Sequence, residues 1–342
     1  MKKLLLLPAL LLPFTLSAKI WIVDSDPGSA SKDFTNLQEA HDGASAGDTL
    51  YLIGSSVSYI TTKVTINKRL IIIGPGYFFN NPETQVSVAV AFLRLTPNSC
   101  DVGVEFAAGS EGSVMMGTTH LGSMVISTNN IMIKRNNFAT NSGVSCGPHN
   151  RITISGSSVQ LVQNFIEANQ NALPIRVNSG FNNIRIYNNF FIGFGFGNAL
   201  TSIGSSGEVV NNISWGAISA ENTLLQNNII LATGSNSFIN CVVRNNVSIG
   251  NNLPTGNGNI QGAAQANLFV GTGTLDGGFK LKDGSPAIGT GFEGVDMGMF
   301  GGDEPYVLSG IPPIPTIYQL NAPAVGEKNT GLPITVKAKA NN

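Results

Sequence analysis

A short pattern of apolar residues around a pair of polar residues recurs along the middle of the chain. Each copy has an apolar-x-apolar segment, then Asn-Asn or Gln-Asn, then a second apolar segment. Such alternation is typical of short strands that bury one face. The second Asn falls at positions 137, 164, 189, 212, 228 and 246, so the spacing varies from 16 to 27 residues. The copies are IMIKRNNF (131–138), QLVQNFIEA (160–168), RIYNNFFIG (185–193), EVVNNISWG (208–216), LLQNNIILA (224–232) and VVRNNVSIG (242–250).

Positions counted from this Asn, taken as zero, are apolar at −3 and +1 and small at +4. The first copy fits best with a slip of one residue, so that Asn136 is position zero. Residues two apart in a strand face the same side, so we expect Ile184, Ile186 and Phe190 to point into a core. Asn tolerates a left-handed corner, and its amide can bond to the Asn of the next copy. The repeat therefore predicts an asparagine ladder.

One such unit cannot bury its apolar face alone, whereas stacked units can. The repeat predicts an all-β coil over residues 19–302, closed at its C-terminal end by about 278–302. The remainder, 303–342, is rich in proline and ends in LPITVKAKA, whose alternation predicts one strand packed along the body.

The segment of about 33–48 predicts one amphipathic helix across the N-terminal end of the coil. Phe34, Leu37, Ala40 and Ala44 follow at helical spacing. Residues 35 and 38, Thr and Gln, have the separation of a capping box.

Composition supports an exported, turn-rich chain. Charged residues form only 11% of the chain, whereas about 25% of residues are charged in an ordinary globular protein. The chain also contains 40 glycines. Residues 1–18, MKKLLLLPALLLPFTLSA, predict a cleaved signal peptide with small residues at its end, because their apolar run is shorter than the roughly 20 residues that span a bilayer. We expect a secreted monomer without a transmembrane anchor. The net charge of −1 gives no basis for binding nucleic acid.

The capping segment, the repeated Asn-Asn layers and the SPAIG segment (285–289) resemble right-handed parallel β-helix proteins of the pectin-lyase-like superfamily. The likeness is greatest to uncharacterised exported β-helix proteins of Bacteroidetes-type bacteria. It implies a right-handed parallel β-helix that contacts polysaccharide. The superfamily includes lyases, hydrolases, epimerases and adhesins, so the fold does not select an activity.

The acidic residues argue against the two chemistries that the resemblance first suggests. Between positions 112 and 275 the acidic residues are Glu167, Glu208 and Glu221, with no aspartate. Calcium-dependent pectate lyases need clustered carboxylates, and polygalacturonases need paired ones. Both activities are therefore disfavoured.

A metal-independent lyase stays open, since it needs only a base and a cation for the substrate carboxylate. Glu167 is the candidate base because the aligned residues at position +3 are apolar. Arg176 and Arg185 lie within about one layer of it and are candidates to bind an acidic sugar. The competing interpretation is that all three are solvated surface residues.

Position −2 points outward and offers Tyr187, Gln226 and Arg244 as candidates for stacking on a sugar, or for ordinary packing between layers. No cofactor or metal is expected: DSDPG (24–28) lacks the remainder of a calcium loop, and the histidines at 41, 120 and 149 lack zinc-ligand spacing. The three cysteines, at 100, 146 and 241, are widely spaced and are predicted to be free.

The sequence therefore predicts an exported β-helix protein that binds or processes polysaccharide. The alternative is a non-catalytic structural or adhesive surface protein whose coil acts as a rigid spacer.

Overall fold

The computed structural model covers most of the chain. The predicted leader lies outside the described residues apart from Ala18, and so do Cys100, Cys146 and His149. Cys241 is a free thiol that packs beside the core. The described residues are 18–78, 89–94, 101–140, 150–168, 172–193, 198–202, 204–323, 325–326 and 331–340.

Three parallel β-sheets form the body of the protein. Each turn of the coil, called a layer below, adds one strand to each sheet. The chain passes from Ile184–Tyr187 in sheet 1 to Phe190–Gly193 in sheet 2 and Asn198–Ser202 in sheet 3, and it returns to sheet 1 at Gly207–Val210. This architecture confirms the predicted all-β class and the right-handed parallel β-helix.

The sheets contain ten, eight and eight strands within the described ranges. Sheet 1 comprises Ile20–Val23, Thr49–Leu52, Ile71–Ile73, Val114–Met116, Met132–Lys134, Gln160–Val162, Ile184–Tyr187, Gly207–Val210, Thr223–Gln226 and Val242–Arg244. Sheet 2 comprises Phe92–Leu93, Thr119–His120, Asn137–Phe138, Phe165–Ala168, Phe190–Gly193, Ile213–Trp215, Ile229–Ile230 and Val247–Ser248. Sheet 3 comprises Val64–Ile66, Val102–Phe106, Ser123–Ile126, Ile152–Ile154, Ile175–Val177, Asn198–Ser202, Ala217–Glu221 and Ser237–Ile239.

The predicted N-terminal helix is present as Leu37–Gly43. Its buried Leu37 belongs to the core inside the coil, so the helix covers the first layer. The capping box was predicted one residue too early. Asn36 is the N-cap and accepts a bond from the Glu39 backbone N–H, while the Glu39 carboxylate accepts bonds from the N–H and hydroxyl of Thr35. The capping residue is Asn36 because its backbone is extended and its amide oxygen reaches Glu39.

Position zero of the repeat forms the predicted asparagine ladder, with Asn136 as its first member. The side-chain oxygen of each Asn accepts the backbone N–H of the Asn one layer earlier, at 2.9–3.0 Å, and its side-chain N–H at 2.9–3.2 Å. Each side-chain nitrogen also donates to a backbone carbonyl one layer earlier. The ladder begins beneath Thr118, whose N–H and hydroxyl bind Asn136. Its members are Asn136, Asn164, Asn189, Asn212, Asn228, Asn246 and Asn259.

The left-handed corner lies at position −1 and not at the ladder residue. The residues there have φ between 50° and 57° in all six copies. This conformation disfavours β-branched residues, and Asn occupies the position in four of the copies. The corner residues are Arg135, Gln163, Asn188, Asn211, Asn227 and Asn245.

The inward position after the corner is +2, so the prediction for Phe190 was wrong. The core inside the coil takes side chains from all three sheets, including Ile184, Ile186 and Phe191. Phe190 belongs to a second core on the outer face of sheet 2. The left-handed residue between the strands turns the chain from sheet 1 to sheet 2, and the alternation of side chains shifts by one residue across this corner.

A C-terminal strap, residues 290–311, covers this second core. The strap runs from the C-terminal end of the coil back towards its N-terminal end. Corner residues of the last layers bind the start of the strap, and corner residues of earlier layers bind later strap residues. Residues 278–302, expected to close the coil, include the first half of this strap. The contacts are Asn245 to Thr290, Asn227 to Phe292, Asn211 to Asp296 and Gly298, Asn188 to Met299 and Gly301, Gln163 to Glu304 and Pro305, and Arg135 to Ile311.

The strand predicted at the C-terminus is Thr335–Lys339, and it pairs antiparallel with Thr316–Asn321. The side chains of Ile317, Ile334 and Val336 are exposed in this hairpin. Short 3₁₀ helices interrupt the segment between the coil and the hairpin, at Gln265–Asn267, Gly277–Phe279, Phe292–Gly294 and Leu308–Gly310.

We expect the two residues of one corner to respond differently to substitution. Asn189→Ala removes the acceptor of two donors on Asn164, and each buried group left unpaired costs about 1–3 kcal/mol. Asn188→Gly keeps the ladder and suits the left-handed backbone, but it frees the carbonyls of Met299 and Gly301. Urea denaturation is expected to give a much larger loss of unfolding free energy for Asn189→Ala. Equal losses would contradict the division of roles between the two positions.

Candidate functional site

The three charged candidates lie on three different sheets, and the structure does not bring them together. Glu167 is on sheet 2, Arg176 on sheet 3 and Arg185 on sheet 1. The Arg176 guanidinium donates to the Asn178 side chain at 3.2 Å. Arg185 lies 3.8 Å from the carboxylate of Glu208, which is also partly exposed. A single bound sugar therefore cannot contact all three candidates at once.

Glu167 is half-buried on the outer face of sheet 2. From the residues that the structure describes, its carboxylate accepts one long bond, 3.4 Å, from the backbone N–H of Thr140. Burial raises the pKa of this carboxyl group, and the Thr140 bond and the nearby charge of Arg151 only partly oppose that effect. The ionised carboxylate is therefore poorly stabilised where it lies.

Arg151, which sequence reasoning missed, fastens the ends of successive layers near Glu167. Its side chain is 2% exposed. The guanidinium donates to the backbone carbonyls of Leu121, Ala139 and Glu167, and burial lowers the pKa of Arg151 to about 10. With its donors directed at backbone oxygens, Arg151 acts as a structural residue and not as a partner for a substrate carboxylate.

Two of the candidates on sheet 1, Gln226 and Arg244, form contacts within the protein. The Gln226 side-chain oxygen accepts a bond from Arg244 at 2.8 Å, and the Arg244 guanidinium lies 3.8 Å from the centre of the Phe292 ring in the strap. Tyr187 is half-buried and lies two layers before Gln226 in the same sheet. This arrangement favours packing between layers and strap for Gln226 and Arg244, as the alternative interpretation expects.

A cleft opens on the outer face of sheet 2, in the same row as Glu167. Glu167, Ile192 and Trp215 occupy directly paired positions on three successive strands. Trp215 is 39% exposed, a large fraction for an indole flanked by aromatic residues. The cleft has a volume of about 610 Å³. Its lining residues are Trp215, Gln265, Ala266, Phe269, Gly271, Thr272, Gly273, Thr274, Leu275, Gly278 and Phe279.

Aromatic packing fixes the wall opposite Trp215. Phe279 lies 4.4 Å from Phe190 and 5.4 Å from Phe269, measured between ring centres. Its ring stands nearly perpendicular to that of Trp215, at 6.4 Å. Phe190, at position +1, faces outward because the alternation of side chains shifts at the corner. Phe279 packs on this outward ring, and the wall of the cleft therefore depends on that shift.

A buried carboxylate fixes the loop that forms the rest of the cleft. Asp276 is fully buried; one oxygen accepts bonds from the Gly277 N–H and the Thr274 hydroxyl, and the other accepts bonds from the Ser309 N–H and the Tyr306 hydroxyl. Tyr306 in turn bonds to Tyr77 at 2.7 Å. The loop is therefore held to both the strap and an early layer, and the cleft is preformed.

The lining combines aromatic faces with neutral hydrogen-bonding groups. Gln265, Thr272 and the glycine backbone supply donors and acceptors, and none of the lining residues in the described ranges carries a charge. A rigid aromatic surface beside a few neutral polar groups suits a ligand with an apolar face and a hydroxyl-bearing edge, such as a sugar ring.

Comparisons with known proteins give no family assignment. No protein-family model matches the chain, and no curated protein has significant sequence similarity to it. Among the helices in the described ranges, none is long and apolar enough to cross a membrane.

We expect Glu167→Gln to stabilise the protein at about pH 8 and to change little at about pH 4. Burial raises the folded-state pKa above the ordinary value of 4.5, so the ionised carboxylate destabilises the folded state once the pH exceeds the folded pKa. Below the unfolded pKa both states are protonated, and the difference disappears. Thermal unfolding across this range measures the effect.

The control is Glu208→Gln, which removes a carboxylate from a partly exposed pair on sheet 1 and should change stability little at either pH. If Glu167→Gln gives no gain at the higher pH, the ionised Glu167 is better stabilised than its contacts indicate.

Proposed function

We propose that this chain is an exported, pectin-lyase-like β-helix protein that binds a polysaccharide of neutral sugars in the cleft beside Trp215. The observation that carries the proposal is the exposed Trp215 indole in a preformed cleft whose described lining is uncharged. Aromatic side chains supply a large contact area with little loss of conformational freedom, and glycine-rich loops let backbone groups approach the ligand.

Support for export comes from the sequence of residues 1–18, and support for a pectin-lyase-like relationship comes from the repeat, the cap and the SPAIG segment. The low charge of the chain agrees with a neutral ligand, because a polymer of uronic acids would be bound best by a cationic cleft. The cleft is connected to a candidate catalytic group by the row of paired residues that runs from Trp215 through Ile192 to Glu167.

That row favours a second candidate, a metal-independent lyase in which Glu167 takes the proton. Burial raises the pKa of Glu167, which makes its carboxylate a stronger base than that of an exposed glutamate. The companion cation is the weak point, since Arg176 and Arg185 lie on other sheets and Arg151 is directed at backbone carbonyls. Release of unsaturated products, measured as ultraviolet absorbance on uronic-acid polymers and abolished by Glu167→Gln, would establish this activity.

Binding is tested with a panel of soluble polysaccharides in affinity electrophoresis. We expect retardation by at least one neutral polymer, and we expect Trp215→Ala to weaken binding roughly tenfold or more, since loss of an aromatic contact and its buried area exceeds about 1.4 kcal/mol. Trp215 is a surface residue, so circular dichroism should confirm an unchanged fold.

Ile239→Ala is the matched control, because Ile239 is similarly exposed (45%) but lies at the end of sheet 3. Binding only to uronic-acid polymers, weakened by Arg176→Ala and not by Trp215→Ala, would move the site to sheet 3. No retardation by any polymer would favour the structural or adhesive alternative.

A further inference from the structure

A buried carboxylate lies against the first residue of the folded body. Asp48 is 4% exposed, and one of its oxygens accepts a bond from the backbone N–H of Lys19 at 2.8 Å. The other oxygen accepts bonds from the Trp21 indole at 2.8 Å and from the Ser45 N–H at 2.9 Å. Both oxygens are therefore directed at fixed donors.

These three donors are neutral when Lys19 is part of a longer chain. Among the described side chains, Asp48 forms no ion pair. The Lys19 ammonium group lies over the Trp21 ring, 3.2 Å from its centre, and not on the carboxylate. A buried carboxylate is usually matched by a cation, because neutral donors only partly replace its hydration.

Lys19 is also where the regular structure begins. Its carbonyl accepts a bond from the Thr49 N–H at 2.8 Å, and the strand Ile20–Val23 follows at the edge of sheet 1. Ala18 is exposed, as is the side chain of Lys19. The peptide bond between Ala18 and Lys19 therefore joins an exposed small residue, suited to a leader peptidase, to the first residue held by the fold.

We infer that the leader is cleaved between Ala18 and Lys19 and that Asp48 binds the α-ammonium group produced by this cleavage. Hydrolysis adds one water across the bond, leaving a carboxylate on Ala18 and an ammonium group on Lys19. The nitrogen that becomes charged is the atom already 2.8 Å from Asp48. Cleavage thus converts a hydrogen bond with one charged partner into an ion pair between two charged groups, with the nitrogen already in place.

The consequence is a mature protein whose end strand is fastened more firmly than in the precursor. Strand Ile20–Val23 is an end strand of sheet 1. It pairs along its length with Thr49–Leu52, and on its other side the Ile22 carbonyl accepts bonds from the N–H groups of Asp33 and Phe34. Its first residues, next to Lys19, are therefore the part of the strand most open to fraying. This inference rests on the export proposed above, and it adds the cleavage position and the receptor for the new terminus.

The first test is N-terminal sequencing and intact mass of the full chain expressed with its leader in a bacterium that exports through the general secretory route. We expect the exported protein to begin at Lys19. An exported protein beginning at another residue would overturn the inference while leaving export intact, whereas an uncleaved, unexported chain would overturn both.

The second test compares two proteins released from fusions by a protease that leaves no extra residue, one beginning at Lys19 and one at Ala18. Asp48 should raise the pKa of the Lys19 α-ammonium above its ordinary value of about 7.7–8.0. Its contribution to stability is present below the unfolded pKa and is lost as the pH rises through the folded pKa.

We therefore expect the urea midpoint of the Lys19 protein, relative to that of the Ala18 protein, to fall as the pH rises from about 7 to about 10. The lysine side chains are common to both proteins and cancel in the comparison. Asp48→Asn in the Lys19 protein should abolish the relative fall. Parallel pH profiles for the two starting points would show that Asp48 does not bind the terminus.

Discussion

The buried amide of the repeated asparagine is the group on which the coil depends. A primary amide inside a protein needs partners for its two donor hydrogens and for its oxygen. Neighbouring layers supply most of these partners here, and a carbonyl two residues earlier in the same layer is a further acceptor for Asn136, Asn189, Asn212 and Asn246. In this protein the oxygen serves the layer before it, and the nitrogen reaches both the next Asn and a backbone carbonyl one layer earlier. The spacing between layers is therefore fixed by hydrogen bonds as well as by the strand ladders.

The corner residue beside each ladder Asn determines which side chains of sheet 2 face outward. Its left-handed backbone shifts the alternation, so that positions +1 and +3 of sheet 2 face away from the coil. An apolar outer face needs a cover, and the corner side chains themselves hold the strap that provides one. The loop before the strap does not cover Trp215, and the cleft is the space between this loop and the indole. Fold and candidate site thus follow from one local conformation.

Sequence reasoning recovered the repeat, the ladder, the slip to Asn136 and the capping helix, because each depends on residues close together in the chain. It assigned the wrong face to Phe190, because alternation was carried through a corner that reverses it. It missed Arg151, an isolated arginine whose carbonyl partners lie in three layers. Trp215 had a weak signal, since an indole in an aligned apolar row is larger than its neighbours, but Phe279 and the loop meet it only through tertiary packing.

A crystal structure of the mature protein with the neutral oligosaccharide that binds most tightly tests the central claim most directly. The account predicts a sugar ring against the Trp215 indole, with hydroxyl groups bonded to Gln265, Thr272 or the glycine backbone of the cleft, and Asp276 unchanged beneath the loop. A sugar bound on the outer face of sheet 3 around Arg176, with the Trp215 cleft free of ligand, would contradict it.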